Sequence, residues 1–553
     1  MNKYIIIIIT TIIILFTTNF QLEHSYTNFS KIPIFFDGKI KPLNSFSKSL
    51  FNDLDLKNKN YTNAMLLAEL LFNFDNFSKL NIFNIKHKNL INNFDIKENK
   101  NNIYSFNDIA YAIKKNYNVI NSLQKIDYDN RTHEQNEILT LYYKIAYILK
   151  IKNYFNDLLD EKKNINGINK ENNIQTFYII LLQNNDWITP KKLESSNLNE
   201  KDKTLIYNLI NDMSINYKNN NIEAWSNNCK DFSHISLTKI SNYNKIKLTI
   251  EFLYNKFNLI QISLIFYIIS LIISMISNFF KTHTNLYVIS IILAIFFNLT
   301  EITFRIFLSE RAPITNLYES IVFVNLILTI FFIILYYKFK INSIFIIFIT
   351  IFQYITYKYS INGTNIKNLV PVLDTNFWLI LHVITITLGY SLCLISGLLA
   401  HLYLYFRLDI NKKKEFLKSF LKLIHVFVIL SLLFSFCGTI LGGIWADQSW
   451  GRFWGWDPKE NGAMLIILWL TFIIHLKMIK FSTTLIYING IILNNIIVFL
   501  AWFGVNLLNV GLHSYGFTQN VGVGLILFLI FEIFYISIFQ IIFNKKKIND
   551  NYL

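Results

Sequence analysis

Hydrophobic residues are distributed unevenly along the chain, and the second half carries nearly all of the long apolar runs. From about residue 258, runs of roughly 18 or more apolar residues alternate with short polar segments, which is typical of membrane-spanning helices. The run at 343–357 is shorter than the others. We therefore expect an all-α fold, a polytopic membrane helix bundle. The predicted spans are 258–279, 286–307, 318–337, 343–357, 377–404, 418–443, 462–480, 484–506 and 520–542.

The first 250 residues follow a different pattern. Lys3 and an apolar run to Phe16 indicate that residues 1–20 are a signal peptide or a membrane anchor. Residues 21–250 are polar, with helical periodicity near 137–155 and 205–213 and a turn signal at Asp37-Gly38. We expect a soluble, mostly helical, extracytoplasmic domain over 21–250, followed by a multi-span domain over 258–543.

The loops between the predicted spans alternate in charge. One set is rich in lysine, which predicts that it faces the cytoplasm. If residues 21–250 are exported, the alternation of the spans also places the lysine-rich loops on the cytoplasmic side. The N-terminal segment and the lysine distribution therefore predict the same orientation. We expect an integral protein of the bacterial inner (cytoplasmic) membrane. The lysines of the cytoplasmic set are Lys281, Lys338, Lys340, Lys412, Lys413, Lys414, Lys418, Lys477, Lys480, Lys545, Lys546 and Lys547.

Composition supports this class of protein. The 553 residues are 53% hydrophobic and 16% charged, with a mean hydropathy of +0.34. The net charge of +16 would suit nucleic acid, but much of the lysine lies in short loops, so we expect no nucleic-acid partner. Cys229, Cys393 and Cys437 show no pairing pattern, and the chain contains no CxxCH motif.

The most unusual stretch is residues 445–461, WADQSWGRFWGWDPKEN, which holds four of the nine tryptophans. Glycine, proline and charged residues within it oppose a lipid-buried helix. We predict a loop over 445–461 that forms an aromatic platform on the outer membrane surface. An interfacial aromatic belt is the alternative, although a belt needs no such ordered run. The residues expected to bind a flat partner are Trp445, Trp450, Arg452, Trp454, Trp456, Asp457 and Lys459.

Histidines near this platform suggest what the flat partner is. His382 opens one predicted span at its outer end, and His513 lies in an outer loop, so both share the depth of the platform. Two imidazoles at one depth suit the two axial positions of a haem iron. His475 lies deeper, in the inner half of its span, and suits a second stop for the same molecule. Each histidine taken singly is also compatible with a structural role.

These residues resemble a known family. WGRFWGWDPKE at 450–460 resembles the tryptophan-rich "WWD" signature of haem-handling proteins, and within that group the chain is similar to CcsA/ResC, the membrane half of a cytochrome c synthase. The similarity covers about 286–543. Residues 32–44 also resemble a segment of large fused synthases. The further matching segments are RAPITNLYES at 311–320, VPV at 370–372, WLILHV at 378–383 and GLHSYG at 511–516.

The resemblance implies roles for individual residues. His382 and His513 correspond to external axial ligands of haem b, and His475 to a transmembrane ligand of an inner haem site. The implied reaction joins haem vinyl groups to the reduced thiols of a CxxCH motif, with catalysis by positioning. The residues implied in the catalytic surface are His382, His513, Trp450, Trp454, Trp456 and Asp457.

The resemblance also implies partners. They are a CcsB/ResB-like membrane protein, an apocytochrome c and a thiol-reducing thioredoxin-like protein. Fused synthases carry a CcsB/ResB-like part whose transmembrane histidine completes the inner site. Here either a separate chain supplies that histidine, which we favour, or His401 or His425 substitutes for it. Glu301 and Arg305, spaced i and i+4, are expected to form a structural ion pair, the alternative being that Arg305 faces the haem path.

Three functions remain open at this point. The first is a cytochrome c synthase subunit that forms thioether bonds within a complex. The second is a haem carrier that presents non-covalent haem to a separate ligase. The third is an unrelated secondary transporter; such proteins often show internal repeats, and no convincing repeat is present.

Overall fold

The computed structural model describes two compact units, Met1–Phe257 and Asn258–Leu553. The segment 1–20 and the loop with His513 lie outside the described residues. The described residues are 25–58, 60–85, 102–127, 130–159, 177–182, 186–280, 286–312, 314–339, 343–363, 366, 376–408, 414–479, 483–508 and 521–546.

The first unit is mostly helical, as predicted, with three small two-stranded sheets in its described part. The helical patterns near 137–155 and 205–213 fall within α7 and α8. The helices are α1 Thr27–Ser30, α2 Leu43–Asp53, α3 Asn63–Phe72, α4 Phe74–Phe77, α5 Phe106–Lys115, α6 Tyr117–Gln124, α7 His133–Leu159, α8 Glu200–Lys218, α9 Ile222–Lys239 and α10 Asn242–Lys256. The strands are β1 Pro33–Phe36, β2 Lys39–Pro42, β3 Asn81–Asn84, β4 Ile103–Ser105, β5 Ile180–Leu181 and β6 Trp187–Ile188.

The predicted turn at Asp37-Gly38 is confirmed, because it joins the antiparallel strands β1 and β2. Asp37 has φ 54° and Gly38 has φ 70°. A two-residue hairpin turn of this kind requires positive φ at both positions, which glycine and aspartate tolerate best. Trp225, buried against Phe29, Phe72 and Tyr217, lies in the apolar core of the unit.

The second unit is a helix bundle, and the prediction of an all-α polytopic membrane protein is confirmed. Eight of its described helices are long and apolar enough to cross a membrane; the run predicted at 343–357 forms a helix whose apolar part is shorter. Its helices are α11 Leu259–Phe279, α12 Leu286–Ser309, α13 Leu317–Phe339, α14 Ser343–Gly363, α15 Asn376–Trp378, α16 Ile384–Arg407, α17 Lys414–Trp450, α18 Pro458–Met478, α19 Thr484–Phe499, α20 Val505–Leu508 and α21 Val521–Lys546.

Two π-helical turns occur in the described part of the bundle, at Leu379–Val383 before α16 and at Leu500–Gly504 after α19. Such turns insert one extra residue and re-aim the neighbouring side chains, and they are frequent at functional sites. Apolar periodicity does not reveal them. The first carries His382, and the second packs against α18, where an added Cβ on Gly462 would lie 2.6 Å from the Cβ of Ala501.

Helices α16 and α17 approach each other closely because small residues line their contact. An added Cβ on Gly389 would lie 2.7 Å from the Ser435 Oγ, and one on Gly438 would lie 2.9 Å from the Cα of Ile386. Small residues at such contacts are the usual means by which membrane helices pack. This close contact sets the distance between His382 and α17.

Candidate functional site

The site is built around His382, whose imidazole lies on the surface of α17. Its Nδ1 atom is 2.8 Å from the backbone carbonyl oxygen of Gly438. One turn further along α17, Gly442 lies directly beneath the ring, and a Cβ added there would be 2.6 Å from the His382 Cε1. The imidazole is therefore held in place by one hydrogen bond and by close packing against Gly442, where any larger residue would collide with the ring.

The hydrogen bond assigns the tautomer of His382. A carbonyl oxygen only accepts, so Nδ1 must carry the proton and the lone pair of the neutral ring lies on Nε2. Histidines that bind metals commonly have this arrangement, with one nitrogen donating to the protein and the other facing the metal. The residue thus meets the chemical requirement for an axial haem ligand.

Trp445 lies next to this imidazole, with ring centroids 5.9 Å apart and planes tilted by 59°. It is buried in a small cluster with Leu379 and Ala312, yet its indole Nε1 has no hydrogen-bond acceptor within the described part of the chain. Buried indole N–H groups usually find a partner. This orphaned donor beside His382 is consistent with a polar group of a bound ligand reaching it.

The predicted loop at 445–461 is shorter than expected, which corrects its boundaries. Helix α17 continues through Trp450, and α18 begins at Pro458, so only residues 451–457 connect the two helices. Helix formation continues past the apolar run because no glycine or proline occurs between Trp445 and Trp450. Gly451, with φ +68°, ends the helix in the left-handed conformation that favours glycine.

Asp457 and Glu460 begin α18 as a capping box. The Asp457 Oδ1 accepts from the Lys459 backbone N–H at 2.8 Å, and the Glu460 Oε2 accepts from the Asp457 N–H at 3.1 Å. Glu460 also accepts from the Gly455 N–H at 2.9 Å, which holds the connection against the helix. Asp457 is buried and occupied with this cap, so its evident task is to shape the connection. The D-x-x-E spacing was the sequence signal for this cap.

The aromatic residues at the end of α17 and in the connection differ in exposure, and Trp454 is half-buried. Trp456 is 69% exposed, and Trp450 and Phe453 are also exposed. The rings of Trp454 and Trp456 are nearly perpendicular, with centroids 6.3 Å apart. Trp456 has φ +55°, an unfavourable conformation for a bulky residue, and its carbonyl accepts from the Asn461 side chain at 3.1 Å. Backbone strain at an exposed aromatic residue favours a binding role for this surface.

Of the two predicted cations, Arg452 lies in the connection and Lys459 lies in the helix that follows it. Arg452 is exposed, and its guanidinium lies over Gly455, where an added Cβ would be 2.7 Å from the Arg452 Cζ. Lys459 is half-buried in the first turn of α18 and interacts electrostatically with Asp457. Arg452 is therefore the cation more open to an acidic group of a ligand.

His475, the predicted ligand of an inner haem site, lies further along its helix than expected. Because α18 begins at Pro458, His475 is about 25 Å along the helix from that residue. It is exposed, and its Nδ1 is 2.8 Å from the Thr471 carbonyl, which places the lone pair of the neutral ring on Nε2. Its neighbours on the same helix face are the exposed Leu468, Phe472 and Ile479, so His475 points away from the described bundle.

The other two membrane histidines have partners of their own. The His401 Nε2 lies 3.0 Å from the Glu532 carboxylate, and the His425 Nδ1 lies 2.8 Å from the Tyr487 hydroxyl. His513 is outside the described residues. Among the described residues, no group of three or more His, Cys, Asp or Glu side chains is arranged to hold a metal ion.

The expected pair of Glu301 and Arg305 is present but is secondary. Their closest atoms are 4.0 Å apart, whereas the Arg305 Nε donates to Glu319 at 2.8 Å. Glu301 instead accepts from the Tyr318 hydroxyl at 2.8 Å. All four residues are buried. The pairing joins α12 to α13, a contact between helices that spacing along one helix does not reveal.

Comparison with known proteins gives the class of this site. A family model described as "Cytochrome C assembly protein" matches residues 314–513, which include His382, the tryptophan-rich stretch and His475 and end at His513. The chain is therefore an integral membrane protein of the cytochrome c assembly class.

Individual relatives narrow this class. The chain is 30% identical over 269 residues to cytochrome c biogenesis protein CcsA of Phaseolus vulgaris, covering 38% of this chain and 81% of that protein. CcsA of Nasturtium officinale is 31% identical over 325 residues, which cover 48% of this chain and 96% of that protein. Protein NrfI of Wolinella succinogenes is 35% identical over 230 residues, which cover 38% of this chain and 24% of that protein. The chain belongs to the CcsA family of cytochrome c biogenesis proteins.

Proposed function

We propose that this chain binds haem b at the outer membrane face through His382 and His513 and is the synthase subunit that attaches it to apocytochrome c. The observation that carries the proposal is the geometry of His382. Its Nδ1 donates to Gly438, its lone pair lies on Nε2, and Gly442 fixes the ring beside Trp445. Haem is the substrate here, and an iron held by two imidazoles is stable and redox-tuned.

The chain contributes to the attachment of haem to the apocytochrome by positioning the haem. Trp450, Trp454 and Trp456 offer apolar faces for the porphyrin, and Arg452 or Lys459 meets the propionates through charge-assisted hydrogen bonds. The rigid Asp457–Glu460 cap holds these rings relative to α18. Each thioether forms when a cysteine S–H adds across a vinyl C=C, so no further reactant is consumed. Fixing the vinyl edge near the thiols accelerates that addition.

The inner site is proposed to be shared with a partner chain. His475 lies on an outward face of α18, so a second ligand opposite it comes most simply from outside this bundle. His401 and His425 already contact Glu532 and Tyr487. This supports a CcsB/ResB-like membrane protein as the source of the second imidazole. A thiol-reducing thioredoxin-like protein would keep the CxxCH cysteines of the apocytochrome reduced.

The proposed orientation follows from lysine placement. The loops rich in lysine would face the cytoplasm of a bacterial cell, and the first unit and residues 451–457 would lie outside the inner membrane. Reduced apocytochrome would then meet the tryptophans on the side where c-type cytochromes reside.

Co-expression tests the proposal. The chain would be produced with an apocytochrome c, with and without a CcsB/ResB-like chain, in a host that lacks its own maturation pathway. We expect thioether-linked haem when both chains are present. Chain-bound haem without any covalent cytochrome, even with the partner present, would instead support a carrier that serves a separate ligase.

A further inference from the structure

A second pair of ionisable side chains lies in the membrane unit, on helices that do not carry the tryptophan-rich stretch. His401 is on α16 and Glu532 is on α21, and the Nε2 and Oε2 atoms are 3.0 Å apart. The Glu532 side chain is 2% exposed and that of His401 is 13% exposed. Ionisable groups at such positions are costly to bury and often mark proton or ion pathways.

Hydrogen bonding locates one proton of this pair and leaves the facing Nε2 and Oε2 atoms without a further hydrogen-bond partner among the described residues. The His401 Nδ1 is 2.8 Å from the Gly397 carbonyl, which can only accept, so Nδ1 carries a proton. With a neutral ring and an ionised Glu532, Nε2 and Oε2 would face each other as two acceptors. An additional proton between them removes this repulsion, whether it resides on the imidazole or on the carboxyl.

The surroundings hold the pair in position. The Asn495 Nδ2 donates to the other Glu532 oxygen at 3.2 Å, and the Tyr535 hydroxyl donates to the His401 carbonyl at 2.9 Å. Phe531 stacks on the imidazole with an interplanar angle of 11°. The guanidinium of Arg407, further along α16, lies over the Phe543 ring, 5.0 Å from its centroid. The Asn495 hydrogen bond and the Phe531 ring contact orient the two side chains.

Polar side chains connect this pair to the level of His382. They lie on α17 and α19 and face successive turns of α16, where a well-packed apolar bundle would have aliphatic residues. Asn495 lies over Gly397, Asn494 lies beside the Cys393 thiol, and Ser431 and Ser435 adjoin the same thiol. Ser435 packs on Gly389. On α17, Ser435 lies about one turn before Gly438, whose carbonyl oxygen accepts from His382. We call these residues the polar track.

Asn494 is the most informative member of the track. It is fully buried, and neither atom of its amide has a nitrogen or oxygen hydrogen-bond partner among the described residues. A buried amide without such partners is costly unless water or a mobile proton carrier reaches it. The track therefore has unused hydrogen-bonding capacity midway between the two histidines.

We propose that His401 and Glu532 share a proton between Nε2 and Oε2 and form an intramembrane proton-transfer site, which the polar track connects to the level of His382. Transfer breaks the O–H bond of the carboxyl and forms the N–H bond of the imidazolium, or the reverse, so charge and atoms balance within the pair. The site is separate from the proposed haem ligands and does not depend on their assignment.

Isotope-edited infrared spectroscopy of the purified full-length protein tests the shared proton. The difference spectrum of wild type minus Glu532→Gln is expected to show where the shared proton lies. If the proton is on Glu532, the difference contains a protonated carboxyl band. If Glu532 is ionised, the difference contains an imidazolium band, and His401→Gln also removes that band. Replacing the exposed Glu415 by Gln is the matched control and should remove only an ordinary carboxylate band. An ionised Glu532 opposite a neutral imidazole would overturn the proposal.

Exchange into D₂O tests the polar track in the same samples. The band of the shared proton should shift with deuterium in the wild type and in the control Asn489→Leu, whose side chain lies on the exposed side of α19. In Asn494→Leu the band should persist but lose its deuterium shift on the same timescale. Exchange as rapid in Asn494→Leu as in the wild type would overturn transfer along the track.

Discussion

The imidazole of His382 and the backbone of Gly442 are in direct contact, so close that an added Cβ would lie 2.6 Å from the ring. This relationship joins the π-helical turn before α16 to the long helix α17. It means that the proposed ligand cannot rotate towards α17 and that its Nε2 direction is set by helix packing. The site is preorganised rather than assembled from a mobile side chain.

Replacing Gly442 by Ala should disturb haem binding without unfolding the bundle. The new methyl group would displace the His382 ring, so we expect weaker haem binding and loss of the six-coordinate absorption spectrum. Gly524→Ala is the control, because no atom lies within 4 Å of a Cβ added there. Equal haem spectra in both variants would contradict the fixed position of His382.

Substitutions of Asp457 can distinguish a role in capping α18 from a role in direct contact with haem. Its side chain accepts from the Lys459 N–H, and loss of such a cap costs about 1 kcal/mol. If the cap is its main task, Asp457→Asn should retain haem affinity and resistance to proteolysis, whereas Asp457→Ala should lower both. Equal loss in the two variants would show that the negative charge itself is required.

The buried pair of Arg305 and Glu319 should be essential for stability. Arg305→Met leaves Glu319 buried without its cation, and breaking such a pair costs about 3–5 kcal/mol. We expect a lower unfolding temperature in detergent. Adding Glu319→Gln removes the unpaired charge and should restore much of the loss. A double variant as unstable as Arg305→Met would contradict this explanation.

Glu251 in the first unit should make stability depend on pH. Burial raises the pKa of its carboxyl above the ordinary value of 4.5, while Lys41, the Ser45 hydroxyl, Lys247 and Lys39 oppose the rise. The folded state therefore binds the proton more tightly than the unfolded state. Stability should fall as pH rises from about 4.5 through the raised pKa, since there the unfolded state holds fewer protons.

Hydrogen exchange of α10 in the full-length protein measures this effect. Protection in the wild type should decrease over that pH range relative to Glu251→Gln, which cannot ionise. The exposed Glu223→Gln is the control and should follow the wild type. Parallel pH profiles for the wild type and Glu251→Gln would show that Glu251 does not titrate differently on folding.

The sequence predicts the spans well because each is a local signal, an apolar run of the length that crosses a membrane. The Asp457-x-x-Glu460 spacing is also a local signal, for a helix cap, but the prediction of a loop reaching residue 461 did not include it. The contacts of Arg305 with Glu319 and of His401 with Glu532 join different helices, so they depend on helix rotation and packing. The continuation of α17 to Trp450 is not predicted by the sequence pattern, because the polar residues after the apolar run indicate that the helix ends with that run.

The optical spectrum of purified, haem-loaded protein tests the central claim most directly. The wild type and the exposed control His234→Ala should show a six-coordinate, low-spin spectrum at the outer site. His382→Ala and His513→Ala should each lose that spectrum, and the double variant should not mature cytochrome c. An unchanged low-spin spectrum in the double variant, or wild-type protein that binds no haem when haem is abundant, would contradict the account.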